Sequence, residues 1–275
     1  MNLNWKTITN LERKGVLPTG GAPIVSDYKC MNVLFINDIH GKYYCNNMWK
    51  QLLLFCEDYS FDRIVWNGDI VDFYEVSSFN KDPQEVDSIE VEIDCTEQRF
   101  QEISVRQSNA IQDFNPGNHE HRWERYIRGN APALKGLKIL ELPSVLKLDK
   151  YSIQCHQSEG FLLTPNFLVY HGEVVRKDSG ASAKGELEKF GISGISGHTH
   201  RLGTYRKMDM LGSRQWTEAG CLCKQEVEYI TGQPNWQPGF AVGEFYTDGT
   251  FWIHEIPFIN GSLRWQGKDY SLPKT

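Results

Sequence analysis

Short apolar runs and segments of helical periodicity alternate in the first part of the chain. Residues 32–37 contain four apolar side chains in a row, which is typical of a strand buried on both faces. Apolar positions then recur at helical spacing over 46–58, and residues 63–66 predict a second short buried strand. The fold is therefore expected to open as β-α-β, with an acidic side chain in the loop after each strand.

The segment 75–97 departs from this pattern, because it carries many acidic residues and has no apolar face. We interpret it as a solvated insertion that leads into a helix at about 96–108, and a functional acidic patch is the alternative. A strand is expected at 110–114 although two of its residues are polar, and a helix is expected at about 119–128.

The remaining pattern adds mainly β-structure. Strands are predicted at 167–170, 192–196, 215–219, 240–246 and 251–256, and a helix at 181–190. The pair Asp248-Gly249 lies between the last two strands and predicts a hairpin. Together these elements indicate an α/β (α+β) fold, a β-sandwich of mixed sheets flanked by helices. We expect one domain over 1–275, with an N-terminal arm at 1–30 and a mainly β part at 203–275.

Composition narrows the class of protein. A chain of 275 residues can bury a large core without disulfides, and its net charge of −6 argues against non-specific coating of nucleic acid. The seven cysteines include no C-x-x-C pair, which favours reduced thiols and a cytoplasmic location. We see neither a signal peptide nor the roughly 18 consecutive apolar residues of a membrane span.

Five short polar motifs follow the predicted strands. They are Asp38-x-His40, Gly68-Asp69-x-x-Asp72, Gly117-Asn118-His119-Glu120, His171 and Gly197-His198-x-His200. Residues two positions apart, as in the first and last motifs, are expected to share one face of an extended segment. This mixture of imidazole, carboxylate and amide donors suits Mn, Fe or Zn better than Ca or Cu(I). If one carboxylate bridges, the set is large enough for two adjacent metal ions.

In this order the motifs resemble those of the calcineurin-like metallophosphoesterases. They span 38–200, and the resemblance implies a four-layer α/β/β/α sandwich of two mixed β-sheets flanked by helices. Four stretches are also similar to small phosphoesterases encoded by bacteriophages. These are 171–173, 179–184, 197–201 and 220–222.

The resemblance divides the motif residues by role. Asp38, His40 and His200 would hold a first metal, and Asn118, His171 and His198 a second. Asp69 would bridge the two ions. His119 would act as a catalytic residue that protonates the leaving oxygen, Asp72 would accept a hydrogen bond from it, and Glu120 would support the site. Two divalent metal ions are expected. Manganese is the expected metal, and Fe, Zn, Ni and Mg are the alternatives.

The implied reaction is hydrolysis of a phosphate mono- or diester by a metal-bridging hydroxide. We expect the substrate to be a nucleotide or another small phosphoester. A DNA or RNA nuclease is the alternative, disfavoured by the acidic balance and the absence of a basic stripe. A non-catalytic scaffold would have lost ligands, and every ligand is present here. The oligomeric state is left open.

Three basic residues near the motifs are candidates for binding the substrate: Arg122, Lys184 and Arg201. For Arg122 the alternative is a solvated helix face. His121 either lines the same pocket or lies on the surface of its helix. The loop 233–239, with Trp236, fits either a lid over the site or a contact in a dimer.

Overall fold

Two β-sheets form the centre of the computed structural model, which describes residues 30–78, 88–210, 212–225 and 234–273. The strands are β1 (Cys30–Ile36), β2 (Arg63–Trp66), β3 (Ile111–Phe114), β4 (Ile153–Cys155), β5 (Phe161–Thr164), β6 (Phe167–Val169), β7 (Ser193–Ser196), β8 (Leu202–Asp209), β9 (Gly212–Ala219), β10 (Gly239–Tyr246), β11 (Phe251–Ile259), β12 (Ser262–Trp265) and β13 (Lys268–Asp269). The α-helices are α1 (Asn46–Asp58), α2 (Ile89–Arg106), α3 (Glu120–Asn130), α4 (Leu142–Val145) and α5 (Ala181–Phe190).

Both sheets are mixed, as expected. The larger one has eight strands in the order β13-β12-β11-β10-β1-β2-β3-β4, and its strands β1 to β4 are parallel neighbours. Strand β10 joins β1 in the antiparallel direction. The smaller sheet has the order β5-β6-β7-β9-β8, in which β6, β7 and β9 are parallel.

The alternation of side chains along β1 places this strand between two apolar cores. Leu34 and Ile36 pack into the core between the larger sheet and helices α1 and α2. Val33 and Phe35 pack into the core between the two sheets. The Phe35 and Phe167 rings lie 6.3 Å apart across that second core. A fully buried aromatic or aliphatic side chain contributes about 1.5–3 kcal/mol, so these contacts hold the sheets together.

A third apolar core completes the layers. Helix α5 covers the outer face of the smaller sheet, where Ala183 and Leu187 pack against Leu168 and Trp216. The order of layers is helix, sheet, sheet, helix. The predicted four-layer α/β/β/α sandwich is therefore confirmed. The described residues after 203 contain strands β9 to β13 and all but the first residues of β8.

The described part of the acidic segment 75–97 is not wholly solvated, and its last residues belong to a helix. Helix α2 begins at Ile89, earlier than expected, because the Ser88 hydroxyl caps it by accepting the Val91 N–H at 3.4 Å. Glu92 on this helix is fully buried and accepts a backbone hydrogen bond from Phe73 at 2.8 Å. Residues 79–87 of the predicted insertion lie outside the described residues, as do residues 1–29 of the predicted N-terminal arm.

The two polar residues of β3 are buried and paired, which explains how this strand forms. Gln112 accepts a hydrogen bond from the Trp66 indole at 3.0 Å. Asp113 forms an ion pair with Arg63 and lies 2.6 Å from His156 Nε2. Burial without partners would cost several kcal/mol, and these contacts remove that cost.

Within the described ranges, no helix is both long and apolar enough to cross a membrane.

Two glycines give a matched test of the packing between the sheets and helices. A Cβ atom on Gly194 in β7 would lie 2.5 Å from the Trp216 ring and 2.7 Å from the Leu168 carbonyl oxygen. Gly194→Ala should therefore lower the free energy of unfolding by roughly 1–3 kcal/mol. A Cβ on Gly129 in α3 has no atom within 4 Å, so Gly129→Ala should raise it by about 0.5–1 kcal/mol. Urea denaturation measures both; equal stabilities for the two variants would contradict this packing.

Candidate metal centre

The motif residues come together at one edge of the sandwich, where parallel strands of both sheets end. Asp38, Asp69 and Asn118 follow β1, β2 and β3, and His171 and His198 follow β6 and β7. Because the carboxyl ends of parallel strands meet at one edge, five loops distant in sequence converge there.

Three side chains form the first group. His40 Nε2 lies 3.0 Å from His200 Nε2, and His200 Nε2 lies 3.2 Å from Asp38 Oδ1. All three side chains are buried. They are the residues predicted to hold the first metal.

A second group lies beside the first. His171 Nε2 is 3.2 Å from Asp69 Oδ2, and His198 Nδ1 is 2.8 Å from Asn118 Oδ1. Asp69 belongs to two candidate metal groups, one with His171 and His198 and one with His40 and His119. Asp69 therefore lies near His40 of the first group as well as near His171 and His198 of the second, as a bridging carboxylate would.

Five of these residues adopt a left-handed backbone conformation. Their φ angles are 50° for Asp38, 56° for His40, 51° for Asp69, 66° for His198 and 57° for His200. The expectation that pairs two apart share a face of an extended segment is therefore wrong, although His40 Nε2 does lie 4.0 Å from Asp38 Oδ1. Such conformations cost on the order of 1–2 kcal/mol per residue and are typical of functional sites.

The imidazole hydrogen bonds show what fits between the groups. His40 Nδ1 lies 2.9 Å from Asp72 Oδ2, and His171 Nδ1 lies 2.8 Å from the Asn67 carbonyl oxygen. Each Nδ1–H therefore donates outwards, so each Nε2 faces the acceptors of the centre and can share with them either a proton or a metal ion. His171 Nε2 is buried without a hydrogen-bond partner among the described residues. Acceptor atoms that face one another about 3 Å apart repel unless a cation lies between them, so this donor set fits metal ions.

The protonation of the centre follows the same electrostatics. Burial opposes charge on His171, but the Asp69 carboxylate outweighs burial and raises the pKa of this imidazole to about 10. The same balance holds the pKa of Asp69 well below its usual value, since His119 and His171 outweigh the effect of burial. Protons and metal ions therefore compete for one region of negative potential.

Glu120 holds two of the loops together. Its carboxylate is fully buried and accepts backbone N–H groups of Asp69 at 2.9 Å, Ile70 at 2.8 Å and Gly117 at 2.7 Å. A Cβ atom on Gly117 would lie 2.3 Å from Asp69 Oδ1, so the loops approach as closely as they do because this residue is glycine.

His119 and Asp72 form a pair at the rim of the centre. His119 Nδ1 lies 3.2 Å from Asp72 Oδ2, and Nε2 lies 3.7 Å from Asp69 Oδ2. Burial lowers the pKa of His119, but the Asp69 charge and the Asp72 hydrogen bond outweigh it and raise the pKa. Arg122 Nη1 donates to Asp72 Oδ1 at 2.8 Å, and its Nη2 lies 3.0 Å from His119 Nε2. Of the three basic candidates, Arg122 is the one beside the pair.

The other two basic candidates lie elsewhere. Lys184 is exposed, 3.9 Å from Glu188. Arg201 donates to the Asn235 carbonyl oxygen at 3.1 Å and to that of Arg176. Across the described ranges, neither cationic group pairs with a side chain of the centre.

One neighbour of the centre, Cys223, was not singled out from the sequence as part of the site. The Cys223 thiol is buried, 3.7 Å from His200 Nδ1, and so occupies the outward side of this imidazole, as Asp72 does for His40. The pattern Cys221-x-Cys223 was visible but is typical of one face of a strand. Trp236, which the sequence suggested for a lid over the site or a dimer contact, packs against His200. His121 lies half exposed on α3, 3.8 Å from Glu124.

Comparison with known proteins agrees with this geometry. The sequence profile of the calcineurin-like phosphoesterase family matches residues 31–202. The Gene 54 protein of Mycobacterium phage L5 is 25% identical over 254 residues, covering 87% of this chain and 98% of that protein. The Gene 54 protein of Mycobacterium phage D29 is 26% identical over 251 residues, covering 86% and 96%.

Solved structures are similar at greater distance. Vacuolar Protein Sorting 29 from Cryptosporidium parvum is 14% identical with a TM-score of 0.46, covering 89% of this chain and 100% of that chain. A predicted phosphoesterase from Streptococcus pneumoniae is 11% identical with a TM-score of 0.32, covering 84% and 99%.

The match to the family profile includes all five motifs, from the loop after β1 to His200, and extends over more than half of the sequence. The chain therefore belongs to the calcineurin-like phosphoesterase family.

Proposed function

We propose that this chain hydrolyses a phosphate mono- or diester, a nucleotide or another small phosphoester, with two divalent metal ions. The observation that carries the proposal is the set of buried imidazole nitrogens that face carboxylate oxygens about 3 Å away. Membership of the family supports phosphoester hydrolysis in general. Manganese is our proposed metal, and Fe, Zn, Ni and Mg accept the same donors.

The first ion would be held by Asp38, His40 and His200, and the second by Asn118, His171 and His198, with Asp69 shared. When bound, such ions activate water as a nucleophile and neutralise the charge of the phosphoryl oxygens. The outward partners Asp72 and Asn67 keep Nε2 of His40 and His171 available for coordination.

His119 would supply the proton. Its Nδ1 is oriented by Asp72, so Nε2 faces the centre and would donate to the oxygen that leaves phosphorus. The Arg122 guanidinium lies beside this nitrogen and would pair with a non-bridging oxygen of the substrate. Lys184 and Arg201 remain predictions for more distant parts of the substrate.

The nuclease and scaffold alternatives are less well supported. The net charge is −6, whereas a protein that grips a nucleic-acid backbone generally presents a basic surface. A scaffold has no need for an intact donor set. We propose a cytoplasmic location, which the seven free cysteines support.

Hydrolysis of 4-nitrophenyl phosphate and bis(4-nitrophenyl) phosphate tests the function. We expect the purified chain to hydrolyse at least one of them after addition of manganese and to stop after chelation. Preference for the bis ester would indicate a diesterase. A fully metallated protein that is inert on both esters, on nucleotides and on oligonucleotides would contradict the proposal.

His119→Ala should lower kcat by roughly 10²–10⁴, because the proton donor is lost while the proposed ligands stay. His121→Ala is the matched control, since His121 lies two residues away, half exposed, and pairs with Glu124. Steady-state kinetics and metal analysis measure the outcome. Loss of both metals from His119→Ala would contradict the assigned role.

Asp69→Ala should lose metal from both positions, because this carboxylate lies in both candidate groups. Asp62→Ala, outside the centre, is the control for removal of a carboxylate and should keep its metal. Metal analysis after gel filtration distinguishes the variants. Full occupancy in Asp69→Ala would refute the bridging assignment.

A further inference from the structure

Trp236 is a large aromatic side chain at the edge of the polar centre. Its ring centroid lies 4.2 Å from that of the His200 imidazole, with the two planes inclined by 58°. The side chain is only partly buried, and it belongs to none of the three apolar cores built by the described residues. Packing of the protein interior therefore does not account for a tryptophan here.

The loop that carries Trp236 is fixed in place. The backbone N–H of Gln237 donates to the His200 carbonyl oxygen at 2.8 Å, and the N–H of Gly239 donates to that of Cys221 at 2.9 Å. On the other side, Arg201 donates to the Asn235 carbonyl oxygen at 3.1 Å. These bonds hold the backbone on both sides of Trp236. The indole therefore needs no large rearrangement of its loop to receive a ligand.

We propose that Trp236 is a binding platform for the aromatic base of a nucleotide substrate, whose phosphate lies at the metal centre. The inference rests on the proposed phosphoesterase function and narrows its substrate to esters that carry a nucleobase. Every base has a flat π-face, and stacking of one base on a tryptophan is commonly worth about 1–3 kcal/mol. Because Trp236 contacts His200, a base on the indole is next to the region where the phosphate would react.

The charges of the loop support this assignment. The Arg201 guanidinium is engaged with two backbone carbonyl groups and braces the loop. Residues 234–239 themselves carry no charged side chain, so the surface that they contribute beside His200 is the uncharged indole. Such a surface suits a base better than a second phosphate.

Two diesters with the same leaving group test the platform: the 4-nitrophenyl ester of thymidine 5′-monophosphate and methyl 4-nitrophenyl phosphate. With manganese bound, we expect kcat/KM of the wild type to favour the nucleoside ester by about tenfold or more. Trp236→Ala should remove this preference by raising KM for the nucleoside ester, with kcat and the methyl ester little changed. Trp236→Phe should keep most of it.

Trp252→Ala is the matched control, because Trp252 is an exposed tryptophan on β11, and it should leave the preference unchanged. An equal loss for both esters in Trp236→Ala, or loss of metal, would show that the ring only supports His200 and would overturn the platform. Hydrolysis of both esters by the wild type without preference would overturn it while leaving the phosphoesterase function intact. No hydrolysis of either diester would overturn the platform, and if 4-nitrophenyl phosphate is not hydrolysed either, the phosphoesterase function fails with it.

Discussion

The buried carboxylate of Glu120 is the contact on which the centre depends. It accepts backbone N–H groups from residues 69–71 and from Gly117, and thereby joins the loop after β2 to the loop after β3. Asp69 lies on the first of these loops, and Asn118 and His119 lie on the second. A carboxylate that accepts several backbone donors also needs no other cation to satisfy it. The two loops can therefore approach each other without a cation beside Glu120.

The sheets supply the rigidity that this arrangement requires. Donor atoms converge because parallel strands in both sheets end at the same edge, and the core between the sheets fixes the distance between the two halves of the centre. Left-handed residues such as Asp38 and His200 are strained, and the surrounding packing and hydrogen bonds offset this cost. The His198 N–H, for example, donates to Asp38 Oδ2 at 3.0 Å and so couples the first and last motifs.

Much of this was predictable from the sequence. Apolar runs located the strands β1 and β2, and motif order indicated the family, the four layers and the residues that converge. These features depend on local patterns: a buried parallel strand is apolar throughout, and a metal ligand must be one of a few residue types.

The rest depends on partners far away in the chain. Glu92 looked solvated because its acidic neighbours are, and only the fold brings the Phe73 N–H to it. The outward partner of His200 is a thiol 23 residues away, at Cys223, and Trp236 reaches the same imidazole from a loop. The sequence pattern also could not predict the backbone conformation. The spacing of Asp38 and His40 fits an extended segment as well as it fits the left-handed conformation that both residues adopt.

In the proposed centre, the Asp69 carboxylate joins two metal sites. Crystals grown with manganese, measured on both sides of its absorption edge, test it most directly. We expect two anomalous peaks, one among Asp38, His40 and His200 and one among Asn118, His171 and His198, with Asp69 in contact with both. A single peak, or peaks away from these side chains, would contradict it.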